Sequence, residues 1–134
     1  MILLDTSVIS AVLRRRRKGE REAALADRVA SLLEGDRHIA IPGLVLQELL
    51  SGISDRAQHE RVLAAVRESF PVLLATEGDH LKAADLVTAA AGKGLALSTP
   101  DALIAAQAVN RRASLLTSDE DFQSLTAIGG LKLL

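Results

Sequence analysis

The sequence predicts an α/β protein with three layers, in which helices flank a short, mainly parallel sheet. Short apolar runs alternate along the chain with longer amphipathic or alanine-rich segments. The apolar runs show no internal alternation of apolar and polar residues, which is typical of strands that are covered on both faces. Strands that are separated by helices need crossover connections, and such connections make neighbouring strands parallel.

Five apolar runs are the predicted strands, and they span residues 1–4, 37–41, 71–74, 114–117 and 131–134. Six segments between them have the length and composition of amphipathic or buried helices. These predicted helices span residues 6–13, 20–33, 42–53, 56–69, 77–91 and 100–110.

Capping and turn residues support these boundaries. Pro42 and Pro100 fit first helical turns, where a missing backbone N–H is tolerated. Thr76 and Asp79 have the spacing of a capping pair at the start of a helix. Glycines end that helix and lead the chain into its last strand, at Gly92 and Gly94 and at Gly129 and Gly130.

Length and composition restrict the possible functions. The 134 residues fit a single domain over residues 1–134, and the absence of cysteine excludes thiolate metal sites and a cysteine nucleophile. Because Phe70 and Phe122 are the only aromatic residues, a nucleic acid would be held by its phosphates rather than by base stacking. No apolar run reaches the roughly 18 residues of a membrane span, and no signal peptide is recognisable, so we expect a cytoplasmic protein.

Four acidic residues lie where a site for chemistry is expected. Asp5 ends one apolar strand and Asp119 follows another, so both point to the carboxyl edge of the sheet, where α/β folds bind ligands. Glu48 lies on neither the apolar nor the polar stripe of its helix. Asp101 lies in the first turn of an almost wholly apolar helix, whose positive end tolerates an anion.

Convergence of these acids would require a cation or a shared proton. Like charges about 4 Å apart repel by about 4 kcal/mol at an effective dielectric constant of about 20. Oxygen ligands without His or Cys favour Mg²⁺ or Mn²⁺ over Zn²⁺, and Mg²⁺ takes remaining ligands from water and phosphate. The residues therefore indicate metal-assisted cleavage of phosphodiester bonds. The formal net charge is only −1, so four clustered acids leave the rest of the chain net basic.

Four sequence blocks carry the acids: MILLDTS at residues 1–7, PGLVLQEL at 42–49, STPDALIAA at 98–106 and LLTSD at 115–119. As an ordered set they resemble PIN-domain proteins, and in particular the VapC toxins of type II toxin–antitoxin systems. The resemblance implies a PIN-like fold and a Mg²⁺- or Mn²⁺-dependent endoribonuclease that cleaves cellular RNA. It also implies neutralisation by a VapB-type antitoxin and a homodimer.

The resemblance assigns roles to the acidic residues. Asp5 and Asp101 would be direct metal ligands, and Glu48 would bind the metal or orient its water. Asp119 would hold a second metal or an outer-shell water. Asp121 also fits the family pattern, so either Asp119 or Asp121 completes the acidic site.

Hydroxyl and basic residues complete the predicted site. Thr6 and Thr117 match hydroxyl positions beside the acids, where they would hydrogen-bond carboxylate or phosphate. A basic run is a solvated loop or helix end, or else a contact for RNA phosphates or for an acidic antitoxin segment. The run consists of Arg14, Arg15, Arg16, Arg17 and Lys18.

Each acid alone also has a simpler structural interpretation. Asp5 and Asp119 would cap a helix or a turn, and Asp101 would pair with Ser98 at a helix start. Glu48 would form an ion pair with an arginine. Two other functions stay open on the same residues: a PIN-fold module that binds a partner without catalysis, and a signalling domain with a phospho-acceptor aspartate.

Overall fold

The computed structural model describes residues 1–13, 19–35 and 37–134, and five short strands lie in these ranges. The strands are β1 (Ile2–Leu4), β2 (Ile39–Pro42), β3 (Val72–Leu73), β4 (Ser114–Leu116) and β5 (Lys132–Leu133). All four strand pairings are parallel, and the order across the sheet is β3-β2-β1-β4-β5. Each strand begins and ends within two residues of its predicted run.

The middle strand of the sheet is β1, and later strands are added on one side of it first and then on the other. From β1 the chain adds β2 and then β3 on one side, and afterwards crosses to add β4 and β5 on the other. Leu4 is in register with Leu116 in the β1–β4 pair, so the two strands end side by side. This point of reversal is where open α/β sheets leave a crevice at their carboxyl edge.

Seven α-helices connect or follow the strands within the described ranges: α1 (Thr6–Leu13), α2 (Glu20–Glu34), α3 (Gly43–Ser51), α4 (Arg56–Ser69), α5 (Glu77–Gly92), α6 (Thr99–Asn110) and α7 (Ser124–Ile128). A short 3₁₀ helix, Glu120–Phe122, precedes α7. The predicted α/β/α fold class is confirmed, and six of these helices match their predicted spans closely.

Two details of the sequence prediction are wrong. Pro42 is the last residue of β2 and the N-cap of α3, because its extended backbone still pairs with β3. The 3₁₀ helix and α7 were not predicted, because each is shorter than two helical turns and shows little periodicity. The predicted glycines do lie at turns, and Gly94 and Gly130 adopt positive φ angles that favour glycine.

The core is aliphatic and is centred on β1 and α6. Every residue of β1 is buried, and α6 buries six side chains along most of its length. Phe122, in the 3₁₀ helix, is completely buried and fixes the segment after β4 against this core. The positions of the β1 and β4 ends and of the α6 N-terminus are therefore set by close packing.

A buried ion pair joins α5 to α6. Asp79 forms the predicted capping box with Thr76, and both of its carboxylate oxygens also accept hydrogen bonds from Arg111, at 2.8 and 2.9 Å. Asn110 donates a further bond to Oδ1 at 2.9 Å. The Arg111 guanidinium holds the pKa of Asp79 well below its usual range. Gln107 in addition donates to the carbonyl of Leu73, so the C-terminal half of α6 is tied to β3 as well.

In the part of the chain that the structure describes, no helix is both long enough and apolar enough to cross a membrane. The predicted basic run, Arg14 to Lys18, lies outside the described residues.

Candidate active site

Asp5 follows β1 directly, beside the end of β4. Its backbone N–H donates to the carbonyl of Leu116 at 3.1 Å, which continues the pairing of the two strands by one residue. Its side chain is buried, and Oδ2 accepts hydrogen bonds from the hydroxyls of Thr117 at 2.8 Å and Ser7 at 3.0 Å. Oδ1 accepts none from the described residues, so this oxygen is available to a ligand.

Both hydroxyls are themselves fixed by the backbone after β4. The N–H of Asp119 donates to Thr117 Oγ1 at 2.9 Å, and the N–H of Ser118 donates to Ser7 Oγ at 3.2 Å. A hydroxyl has one proton to donate, and here an amide occupies its acceptor side while Asp5 takes the proton. The two hydroxyls therefore set the orientation of the Asp5 carboxylate.

Three further carboxylates meet near the N-terminus of α6. Asp101, Asp119 and Asp121 each offer one oxygen, and these oxygens lie within 4.8 Å of one another. Asp101 lies in the first turn of α6, where its N–H donates to Ser98 Oγ at 3.3 Å. Asp119 caps the 3₁₀ helix by accepting from the N–H of Asp121 at 2.9 Å. The side chain of Asp119 therefore does cap a helix, and Asp101 does pair with Ser98 at a helix start, as the simpler interpretations expected. The carboxylates of both residues nevertheless also belong to the acidic cluster.

Glu48 approaches the site from α3. It lies on an exposed part of that helix, and its Oε1 accepts a hydrogen bond from the hydroxyl of Thr6 at 3.2 Å. No arginine or lysine among residues 1–13, 19–35 and 37–134 forms a salt bridge with it. Within the described residues, the carboxylate of Glu48 is therefore bonded by a hydroxyl and not by an arginine, contrary to the ion-pair interpretation.

The carboxylates influence one another electrostatically. Burial, followed by the charges of Asp119, Asp5 and Asp121, raises the pKa of Asp101 against the opposing Ser98 hydrogen bond. Burial also raises the pKa of Glu48, and the charges of Asp5 and Asp101 add to this despite the Thr6 hydrogen bond. Full ionisation of the cluster is therefore unfavourable unless positive charge is present.

The donor set fits a hard divalent cation. Two oxygens that share one Mg²⁺ at about 2.1 Å can lie at most about 4.2 Å apart, so the 4.8 Å cluster needs only a small adjustment. All of the candidate ligands are carboxylate oxygens, which Mg²⁺ and Mn²⁺ prefer. Asp101, Asp119 and Asp121 would hold the ion, and Asp5, which lies outside this group, is close enough for its charge to raise the pKa of Asp101.

Two clefts border the acidic cluster. The first has a volume of about 330 Å³ and lies beside Asp101 and Asp121, with Leu95, Leu97 and Ser98 in its wall. The second has a volume of about 230 Å³ and lies between α1, α2 and the segment after β4. The first cleft is thus lined by two acids of the cluster, and the second is lined by Ser7, which bonds Asp5, and by Ser118, which precedes Asp119.

The structure brings the four predicted acids to one edge and adds detail to the prediction. Asp119 and Asp121, which the sequence offered as alternatives, both belong to the acidic cluster. The predicted hydroxyls contact acids, Thr117 contacting Asp5 and Thr6 contacting Glu48. Sequence analysis missed Ser7, although a serine two residues after an aspartate can bond back to it locally.

Together, the fold and the site define a class: α/β proteins with a carboxylate cluster at the switch point of a parallel sheet. Residues 2–128 match the model of the PIN domain family, and the chain therefore belongs to that family. This confirms the resemblance that the four acidic blocks carry. A search of the curated proteins found no match.

Several solved structures resemble the chain along nearly its whole length. VapBC2 from Rickettsia felis, solved with a DNA fragment from its promoter, has a TM-score of 0.80 and 22% identity, covering 100% of this chain and 98% of that one. FitAcB from Neisseria gonorrhoeae has a TM-score of 0.79 and 26% identity, with 100% and 96% covered. VapC20 from Mycobacterium tuberculosis, a sarcin-ricin loop cleaving toxin, has a TM-score of 0.67 and 18% identity, with 92% and 94% covered.

Proposed function

We propose that this protein is a VapC-like toxin, a divalent-metal-dependent endoribonuclease that cleaves phosphodiester bonds of cellular RNA. The observation that carries the proposal is the convergence of Asp101, Asp119 and Asp121 beside Asp5, on a PIN fold. The description of the similar VapC20 as a toxin that cleaves the sarcin-ricin loop supports RNA as the substrate class.

Each residue of the site has a definite task in this proposal. Asp5 and Asp101 hold Mg²⁺ or Mn²⁺, and Asp119 and Asp121 complete its ligand set or hold a second ion. When bound, the metal would lower the pKa of a coordinated water and offset charge on the phosphoryl oxygens. Glu48, whose Oε1 is held by the Thr6 hydroxyl, would bind the metal or orient its water.

The proposal includes partners and a location. A VapB-type antitoxin neutralises the toxin, as the similarity to VapBC and FitAcB complexes suggests. We also propose that the protein is a homodimer and acts in the cytoplasm. Residues 14–18 would add basic contacts to RNA or to the antitoxin.

The decisive test is metal-dependent cleavage by the purified protein. Incubation with cellular RNA and Mg²⁺ or Mn²⁺ should give fragments whose ends map to defined positions, and excess chelator should abolish them. Asp5→Asn and Asp101→Asn should each abolish cleavage while the variant protein stays folded. Asp85→Asn, a matched change at an exposed position of α5, should cleave as the unmodified protein does.

Four outcomes would each overturn a part of the proposal. Cleavage that survives both aspartate substitutions, or that persists in chelator, would exclude these carboxylates as the catalytic site. A metal titration without binding would favour the non-catalytic PIN-fold module. A monomeric mass in solution would exclude the homodimer, and failure of the product of an adjacent small gene to inhibit cleavage would exclude that product as the antitoxin.

A further inference from the structure

The 230 Å³ cleft between α1, α2 and the segment after β4 adjoins the acidic site but contains none of its four predicted acids. Hydroxyls of Ser7, Ser10 and Ser118 line it, together with the side chain of Arg21. Ser7 is the residue whose hydroxyl holds Asp5, and Ser118 lies between Thr117 and Asp119. The wall of this cleft is thus continuous with the scaffold of the proposed metal site.

Arg21 is fixed in position but only partly bonded. Its Nη2 donates to the backbone carbonyl of Ser118 at 3.2 Å. In the described portions of the chain it forms no ion pair and no other hydrogen bond. A guanidinium carries five N–H donors in a rigid fork, so most of its donors remain available to a ligand.

Glu22 is the other charged group that lines the cleft. It already has an interaction within the chain, and its Oε2 atom is buried. Arg21 itself is exposed. An anionic ligand in the cleft therefore meets the positive charge of Arg21 and the hydroxyls of Ser10 and Ser118, while the proton of the Ser7 hydroxyl is already donated to Asp5.

A strand bound at the acidic site would need a positively charged side chain such as Arg21 nearby. Carboxylates repel a polyanionic strand, and metal ions at the site offset this repulsion only at the phosphate that they touch. A neighbouring phosphate needs its own positive contact, and Arg is the side chain best matched to phosphate geometry. The scarcity of aromatic residues makes phosphate contacts the main means of holding a strand.

We infer that Arg21, together with the hydroxyls of Ser10 and Ser118, forms a binding site for a backbone phosphate of the nucleic-acid strand, one that flanks the phosphate at the acidic cluster. This inference rests on the proposed function, since it concerns the strand that the proposed nuclease cleaves. Arg21 is a binding residue in this scheme and takes no part in bond cleavage.

The test measures RNA binding separately from cleavage. A single-stranded RNA is titrated in increasing salt against protein that carries Asp101→Asn, so that no cleavage occurs during the measurement. Arg21→Ala in this background should weaken binding roughly tenfold, the loss expected for one charge-assisted hydrogen bond. The slope of log affinity against log salt should decrease by about 0.7, the value for one phosphate contact on a single strand.

Two companion variants make the result specific. Arg21→Lys keeps the charge, so it should retain the salt slope while losing part of the affinity. Arg67→Ala removes an exposed arginine in the last turn of α4, which leads into the edge strand β3 and does not line the cleft. It should change neither the affinity nor the slope.

The outcomes distinguish this inference from the proposed function. If the unmodified protein cleaves RNA but Arg21→Ala leaves the slope unchanged, the phosphate site is wrong and the nuclease proposal stands. If Arg21 governs the slope while the unmodified protein cleaves nothing, the nuclease proposal is wrong and the phosphate site stands. If Arg21→Ala weakens only antitoxin binding, the cleft binds an acidic protein segment, and the inference is wrong.

Discussion

The hydroxyl of Thr117 donates a hydrogen bond of 2.8 Å to Oδ2 of Asp5, across 112 positions of sequence. The two residues meet because β1 and β4 are adjacent and in register up to Leu4 and Leu116. The same hydroxyl accepts from the N–H of Asp119. One side chain therefore connects the acid after β1 to the acidic segment after β4, and this connection leads to the first prediction.

Thr117→Val should weaken metal binding and cleavage without unfolding the protein. Valine has nearly the shape of threonine but cannot donate to Asp5 or accept from Asp119. Loss of a group that orients a metal ligand typically costs about 10- to 100-fold in metal affinity or activity. Mg²⁺ titration by calorimetry, together with cleavage rates, would measure the change. Thr117→Ser, which restores the hydroxyl, should recover most of the affinity; equal affinities of the valine variant and the unmodified protein would contradict the role.

Ser7→Ala should have a similar effect, because Ser7 donates to the same oxygen of Asp5. Either hydroxyl alone still orients the carboxylate in part, whereas the loss of both leaves it unrestrained. The combined Ser7→Ala and Thr117→Val variant should therefore lose more metal affinity than the sum of the single losses. Residues that share one partner typically show coupling of about 0.5–3 kcal/mol, and a double-mutant cycle on metal affinity measures it. Strict additivity would mean that the hydroxyls act independently.

The contrast between Asp5 and Ser7 shows what the sequence could predict. The strand ends were predictable because apolar runs mark the strands of a parallel sheet, and all such strands end at one edge. Asp5 and Asp119 follow directly from that rule. The bond from Ser7 to Asp5 is local and could have been predicted, but the amide of Ser118 that fixes the Ser7 hydroxyl could not, since it lies far away in sequence. Arg111 was missed for the same reason, because nothing local indicates its partner Asp79.

Arg111→Met should destabilise the fold by about 3 kcal/mol at pH 7, since it leaves the buried carboxylate of Asp79 without its cation. The Arg111 guanidinium lowers the pKa of Asp79 from its usual 3.8. The stabilisation is therefore complete above that value and is lost as the pH falls through the lower pKa of the folded protein. Denaturant unfolding at a series of pH values should show a constant difference from the unmodified protein near neutrality, and a shrinking one below about pH 4.

The exposed pair of Arg56 and Glu60 is the control for this measurement. Its nitrogen and oxygen are 3.3 Å apart, but both side chains are mostly exposed, so Arg56→Met should cost less than about 1 kcal/mol. The role of Arg111 would be contradicted if the two arginine substitutions lowered the free energy of unfolding by similar amounts. It would also be contradicted if the loss caused by Arg111→Met became larger in acid.

Asp101→Asn should stabilise the metal-free protein while removing its response to metal. The pKa of Asp101 is raised by burial and by Asp119, Asp5 and Asp121, so its ionised form destabilises the fold above that pKa, and the penalty eases as the pH falls through it. Asparagine removes the charge at neutral pH and should therefore raise the melting temperature of the metal-free protein in chelator. Mg²⁺ should stabilise the unmodified protein, because it binds the folded state, and should have little effect on the variant. Asp85→Asn should leave both melting temperatures unchanged. A lower melting temperature for Asp101→Asn in chelator would show that ionised Asp101 stabilises the metal-free fold. The acidic cluster would then not need a cation to offset its charge.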